Sequence, residues 1–234
     1  MSGVFSALTQ TERDALLLSL KVATTATVVS LPIGIAIAWL LARGRFWGRS
    51  LLSALVYLPL VLPPVVTGYG LLLLFGRHGP IGALLAPLGV VFAFRWTGAA
   101  LASGIMGFPL MVRAIRLSIE AVDGRLEQAA ETLGARPIVR FATVTLPLAA
   151  PGVVAGAVLA FAKAMGEFGA TITFVANIPG ETQTVPSAIY NLIQTPGSDA
   201  AVVRLLLVSV AVSLAAVLAS EALSQAAARR TAGR

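Results

Sequence analysis

The stretch from Ala15 to Ala42 reads ALLLSLKVATTATVVSLPIGIAIAWLLA, and Lys21 is its one ionisable residue. A bilayer's hydrocarbon core needs about 20 consecutive apolar residues in helical form, so this run is long enough to cross. It is too long for the apolar segment of a secretory signal and has no basic flank before it, so no cleaved signal is expected.

Working outward, four more blocks pass the same length test: residues 51–75, 97–117, 148–176 and 201–223. A shorter stretch, Ile81 to Phe94, contains Gly82, Pro87 and Gly89. It is too short to span comfortably and reads as an interfacial or re-entrant segment. The composition agrees. Apolar residues make up 57% of the chain and charged residues 12%, half the roughly 25% usual for a soluble domain. The expectation is an all-α integral membrane protein, one transmembrane domain over residues 1–234, with little room for a separate soluble unit.

The net charge of +7 would raise nucleic-acid binding in a soluble protein. Here the basic residues lie between apolar blocks, where they orient the chain by favouring the cytoplasm. With the N-terminus outside, one side holds Arg43, Arg45, Arg49, Arg113, Arg116, Arg125, Arg136, Arg140, Arg229, Arg230 and Arg234; the other holds Arg13, Arg77, Arg95 and Arg204. A span at Ile81–Phe94 would put the Arg43 and Arg113–Arg140 segments on opposite sides. Five spans, N-terminus periplasmic and C-terminus cytoplasmic, satisfy the rule; a sixth needs an exception.

Two features concern helix shape. Pro59, Pro63, Pro64, Gly68 and Gly70 interrupt the second block. Proline removes a backbone donor and clashes with the preceding turn, so a plain kink and a broken, pathway-lining helix both fit. Gly152, Gly156, Ala160 and Ala164 recur at four-residue spacing. Such a stripe lets helices approach closely, within one subunit or between two.

The longest cytoplasmic segment, about 118–147, predicts a short helix over Arg125–Leu133. Gly134 stands as its stop, and Pro137 follows where a helix should not continue. Ala129 and Ala130 would let another protein's groove close around it. The spacing Gln128-Ala129-Ala130, Gly134, Val144, Leu146-Pro147 resembles the signature loop of permease subunits of binding-protein-dependent ABC importers. Gln128 stands where that pattern has glutamate, and Val144 where it has isoleucine. The resemblance implies a type I importer-like fold in which this loop forms a coupling helix. Glu127, Gln128, Ala129, Ala130, Leu133, Gly134 and Ala135 would then meet the ATP-binding subunit.

A second stretch, Gly166-Glu-Phe-Gly-Ala-Thr-Ile-Thr-Phe174, with Asn177-Ile-Pro-Gly-Glu-Thr-Gln-Thr184 and Pro186-Ser-Ala-Ile-Tyr190, resembles molybdate permeases. Sulfate permeases share its core but diverge around it. The resemblance implies a homodimer in the cell inner membrane, two ATP-binding subunits, a periplasmic molybdate-binding protein and an oxyanion cargo. The alternatives are a sulfate or thiosulfate permease, and an ion-coupled secondary transporter using Glu167 or Glu221.

Ionisable residues inside spans are costly and therefore informative. Lys163 and Glu167 are four residues apart, on one helix face. They would neutralise each other, or stand beside the pathway with Thr171 and Thr173, where a dianion would welcome the lysine and the hydroxyls. Lys21 can snorkel to the outer interface, and His78 reads as a surface residue. There is no phosphate-binding Gly-x-x-x-x-Gly-Lys-Ser/Thr motif, and the absence of cysteine excludes disulfides, thiolate metal sites and cysteine catalysis. The chain reads as a transport subunit without cofactor or catalytic residues, drawing its power from another chain.

Overall fold

The computed structural model describes residues 8–232, apart from the side chains at 216, 219–221 and 223–232. The side chains of Glu221, Arg229 and Arg230, and the whole of Arg234, lie outside that description. The described elements are helical, without a strand among them.

Helix α1, Gln10–Arg43, starts at a capping box. The Thr9 hydroxyl accepts from the Glu12 amide, and the Glu12 carboxylate accepts from the Thr9 amide, satisfying two otherwise orphaned donors. At about 1.5 Å per residue, its 34 residues exceed the bilayer core, so it tilts or projects. Helices α2, Arg49–Val61, and α3, Pro64–Phe75, follow with 115° between them. Leu62, next to Pro63, is extended, as is Pro63 next to Pro64; a following proline disfavours helical backbone. The second apolar block is therefore two helices meeting at a sharp corner.

The Ile81–Phe94 stretch holds only a short helix, α4, Pro80–Leu85, and a tight turn over Ala86–Leu88. Helix α5, Trp96–Glu120, is the hub, largely buried and packed against α1 and the later helix α8. The cytoplasmic loop carries α6, Gly124–Thr132, and α7, Pro137–Arg140. The chain then passes through one wider turn at Phe141–Thr145, a short helical piece at Leu146–Leu148, and a 73° bend into α8, Ala150–Met165.

The fourth apolar block, expected as one run to residue 176, ends as a helix at Met165. Gly166 to Phe168 break it, and α9, Gly169–Val175, restarts. The restart has a local cause: the Glu167 carboxylate accepts from the Ala170 amide at 2.9 Å, satisfying a first-turn donor that would otherwise favour continuing the old helix. Helix α10, Val185–Ile193, and α11, Asp199–Ala232, complete the chain. Among the described residues, α1 and α5 are each long and apolar enough to cross a membrane, and α2 with α3, and the segment Pro137–Leu148 with α8, qualify if each pair counts as one bent span.

The small-residue stripe packs within this chain. A Cβ on Gly156 would lie 2.9 Å from the Met111 carbonyl of α5, and one on Gly152 would overlap Ser118. Ala160 touches Gly107, and Ala164 joins Ala23 and Ala26 of α1. Close approach of this kind replaces the hydrophobic drive that lipid does not supply.

Candidate functional site: the loop helix and the broken helix

Helix α6 forms because Asp123 caps it, its carboxylate accepting from the Arg125 amide at 2.9 Å. It stops because Gly134 takes φ +85°. The Gly134 amide then donates to Glu131 O and the Ala135 amide to Ala130 O, the reciprocal pairing of a Schellman end. The helix thus covers 124–132, one residue from the expected start and end.

The predicted docking residues divide by direction. Gln128, Ala129, Leu133 and Gly134 are exposed, while Ala130 and Ala135 are half-buried. Leu133 is 88% and Leu126 49% exposed, two large apolar side chains left open among the described residues. Glu127 turns inward, with its side chain 14% exposed. Its carboxylate lies 3.2 Å from Arg43 Nε and accepts from the Thr145 hydroxyl at 2.6 Å. Arg43 also donates to Val122 O at 2.9 Å. On the next turn Glu131 pairs with Arg140. Sequence reading used Arg43 only as a topology charge. The overlooked signal was a cation in the last turn of a long helix, where the dipole favours it.

The second group lies at the α8–α9 break. Lys163 Nζ donates to Glu167 Oε2 at 2.7 Å, with side-chain exposures of 32% and 1%. The carboxylate is thus held by a cation on one oxygen and a backbone amide on the other. Thr171 is buried and its hydroxyl donates to Phe168 O at 2.9 Å; the Thr173 hydroxyl donates to Gly169 O. Both hydroxyl protons are used inside their own helix, so of the four predicted pathway residues Lys163 is the one with donors to spare and an open side. Helix α3 closes on this region: a Cβ on Gly68 would lie 2.4 Å from the Ala170 carbonyl and 2.9 Å from the Thr173 hydroxyl.

A third arrangement was not read from the sequence. Glu12, 5% exposed, pairs with Arg204 of α11 at 2.9 Å. The Ser19 hydroxyl accepts from the Val185 amide at 2.8 Å. Together with Leu16, Ala188 and Leu205 in one buried cluster, these contacts clasp the starts of α1, α10 and α11. Burial pushes the Glu12 carboxyl upward, but hydrogen bonds from Thr9 and the Arg204 guanidinium outweigh it and leave its pKa below the ordinary value. Thr9 and Glu12 stand at capping-box spacing, a signal that the sequence reading did not use; the partner on α11, 192 residues away, has no local signal.

The family described as binding-protein-dependent transport system inner membrane component matches residues 30–229. The molybdenum transport system permease protein ModB of Escherichia coli (strain K12) is 57% identical over 97% of this chain and 99% of its own length. That of Haemophilus influenzae is 55% identical over 92% and 94%. The sulfate transport system permease protein CysT of Salmonella typhimurium is 36% identical over 75% of this chain and 64% of its own. Among solved structures, a bacterial ABC transporter involved in import of the acidic polysaccharide alginate superposes with TM-score 0.74 at 18% identity, over 93% of this chain and 80% of that one. The MetNI methionine ABC transporter, inward-facing, superposes with TM-score 0.68 at 16% identity, over 97% and 99%. The loop signature, the helical architecture around α5 and the extent of these matches agree, and the chain belongs to the binding-protein-dependent transport system inner membrane components, the permease subunits of ABC importers.

Proposed function

We propose that this chain carries molybdate across the inner membrane as one of two identical permease subunits. The near full-length 57% identity to a molybdenum transport permease carries the reading, and the Gly166–Phe174 and Asn177–Tyr190 stretches support it. Two ATP-binding subunits dock on the exposed Leu126, Ala129 and Leu133 face of α6. A molybdate-loaded periplasmic protein delivers the anion to the outer face. Five spans put the N-terminus outside and the C-terminus inside. Lys163 lies beside the path, where its ammonium lowers the cost of a passing dianion, while Glu167 holds it in place and caps α9. Alternating access follows if ATP and the loaded binding protein each stabilise one of two conformations.

The test is ATP hydrolysis by the complex reconstituted with its ATP-binding subunit and binding protein, comparing molybdate, tungstate and sulfate. Molybdate is expected to stimulate. Gly134→Asp is expected to weaken the stimulation, because a side chain at φ +85° strains the helix end, by less for aspartate than the roughly 1–2 kcal/mol of most other residues. Stimulation by sulfate alone moves the cargo to the class of the sulfate relative. A properly assembled complex that answers none of the three anions overturns the importer reading.

A further inference from the structure

We infer that Arg43, Glu127 and Thr145 are positioning residues that transmit movement of α6 into α1 and α8, so that Glu127 works toward the membrane domain and not toward the ATP-binding subunit. The inference rests on α6 being the docking helix.

Its attachment to the rest of the chain makes the argument. At one end the main chain runs through Val122, Asp123 and Gly124; at the other it leaves through Gly134 at φ +85°. Glycine has the widest backbone freedom of any residue, so links of this kind let a helix swing without dragging its neighbours. The Glu127 carboxylate restricts that freedom, beside the more exposed Glu131–Arg140 pair on the next turn. It takes Arg43 Nε at 3.2 Å from the last turn of α1 and the Thr145 hydroxyl at 2.6 Å from the wider turn that leads into α8. Arg43 is itself fixed by Val122 O at 2.9 Å, and Thr145 is 1% exposed. One side chain thus ties α6 to the end of α1 and to the turn that leads toward α8.

The partners lead to functional places. Helix α8 ends at the Lys163–Glu167 pair, and α1 packs along α5 and α8. The turn carrying Thr145 closes through a bond from the Leu146 amide to Phe141 O, a geometry frequent at functional sites inside helices. Nearness does not establish coupling; the claim needs a measurement that separates transmission from docking and from folding.

The measurement uses the full complex with Arg43→Gln, Glu127→Gln, Thr145→Val, the double Arg43→Gln/Glu127→Gln, and the charge exchange Arg43→Glu/Glu127→Arg. Three readouts are taken: ATP-binding subunit co-purified per permease, melting temperature, and oxyanion transported per ATP hydrolysed. Transmission predicts that each single variant keeps its ATP-binding subunit and lowers transport per ATP by at least about fivefold, the low end of ordinary coupling factors. The double variant is expected to be no worse than either single, as for residues acting through one contact, and the charge exchange to recover part of the ratio. Loss of the ATP-binding subunit in Glu127→Gln but not in Arg43→Gln would mean that Glu127 docks outward. Lower melting temperature and yield with an unchanged ratio would mean a purely structural contact. Either result overturns the linkage while the wild type still responds to its anion; a wild type that does not respond overturns the importer reading and the linkage with it.

Discussion

Lys163 and Glu167 illustrate how a pair with one buried member constrains single residues, the carboxylate being 1% and the lysine side chain 32% exposed. Removing one partner of a fully buried ion pair costs about 3–5 kcal/mol, whereas replacing both with apolar groups is often near neutral; solvent at the lysine makes the cost here smaller. Lys163→Met is therefore expected to melt below wild type in detergent, and Lys163→Met/Glu167→Met to recover part of the loss, short of all of it because Glu167 also serves the Ala170 amide. Gly68 is limited by space instead: Gly68→Val drives a side chain into the Ala170 carbonyl 2.4 Å away, an overpacking expected to cost about 1–3 kcal/mol and readable in the same melts. Glu12 gives a pH signature. Its carboxyl pKa is lowered in the folded state, so the stability it contributes is fully present above the ordinary glutamate value of about 4.3 and disappears as pH falls through the lowered one. Melting temperatures of wild type and Glu12→Gln should differ at neutral pH and converge in acid; a gap that stays constant to the lowest pH would reject the assignment.

Among the elements, those governed by local rules were legible and those governed by distant contacts were not. Helix α6 could be placed to within a residue because its cap at Asp123 and its stop at Gly134 are local chemistry. The corner between α2 and α3 was visible as a run of prolines, but its 115° angle, and the close approach of Gly68 on α3 to Ala170 on α9, were not. The α8–α9 break was read as continuous apolar sequence, because hydropathy does not register that Glu167 caps the restarting helix. The stripe on α8 left open which neighbour it served; its spacing names a face, not a partner. That face is now testable, since Gly156→Leu should wedge α8 from α5 at the Met111 carbonyl, 2.9 Å from the new Cβ, and lower the yield of folded permease.

The whole molecule was the easiest scale to read as a class and the hardest as a geometry. Apolar block length and arginine asymmetry pointed to an all-helical membrane protein, because a bilayer imposes both on a helical chain that crosses it; the family was legible only in the loop spacing from Gln128 to Pro147. The orientation can be measured directly, since the chain has no cysteine to interfere. An impermeant thiol reagent should label His78→Cys from the periplasm, and Trp47→Cys and Leu133→Cys only after permeabilisation. Labelling of positions 47 and 78 from the same side would mean that the α2–α3 corner turns back without crossing. Glu12 and Arg204 are 192 residues apart, and the ribosome makes them in that order. At about 5–20 residues per second, Glu12 waits roughly 10–40 s for its guanidinium, and Leu8 and Leu16 wait as long for the cover of Leu205. Closure of this clasp thus comes late in synthesis: until α11 is made, Glu12 lacks its guanidinium partner, and Leu8 and Leu16 lack the cover of Leu205.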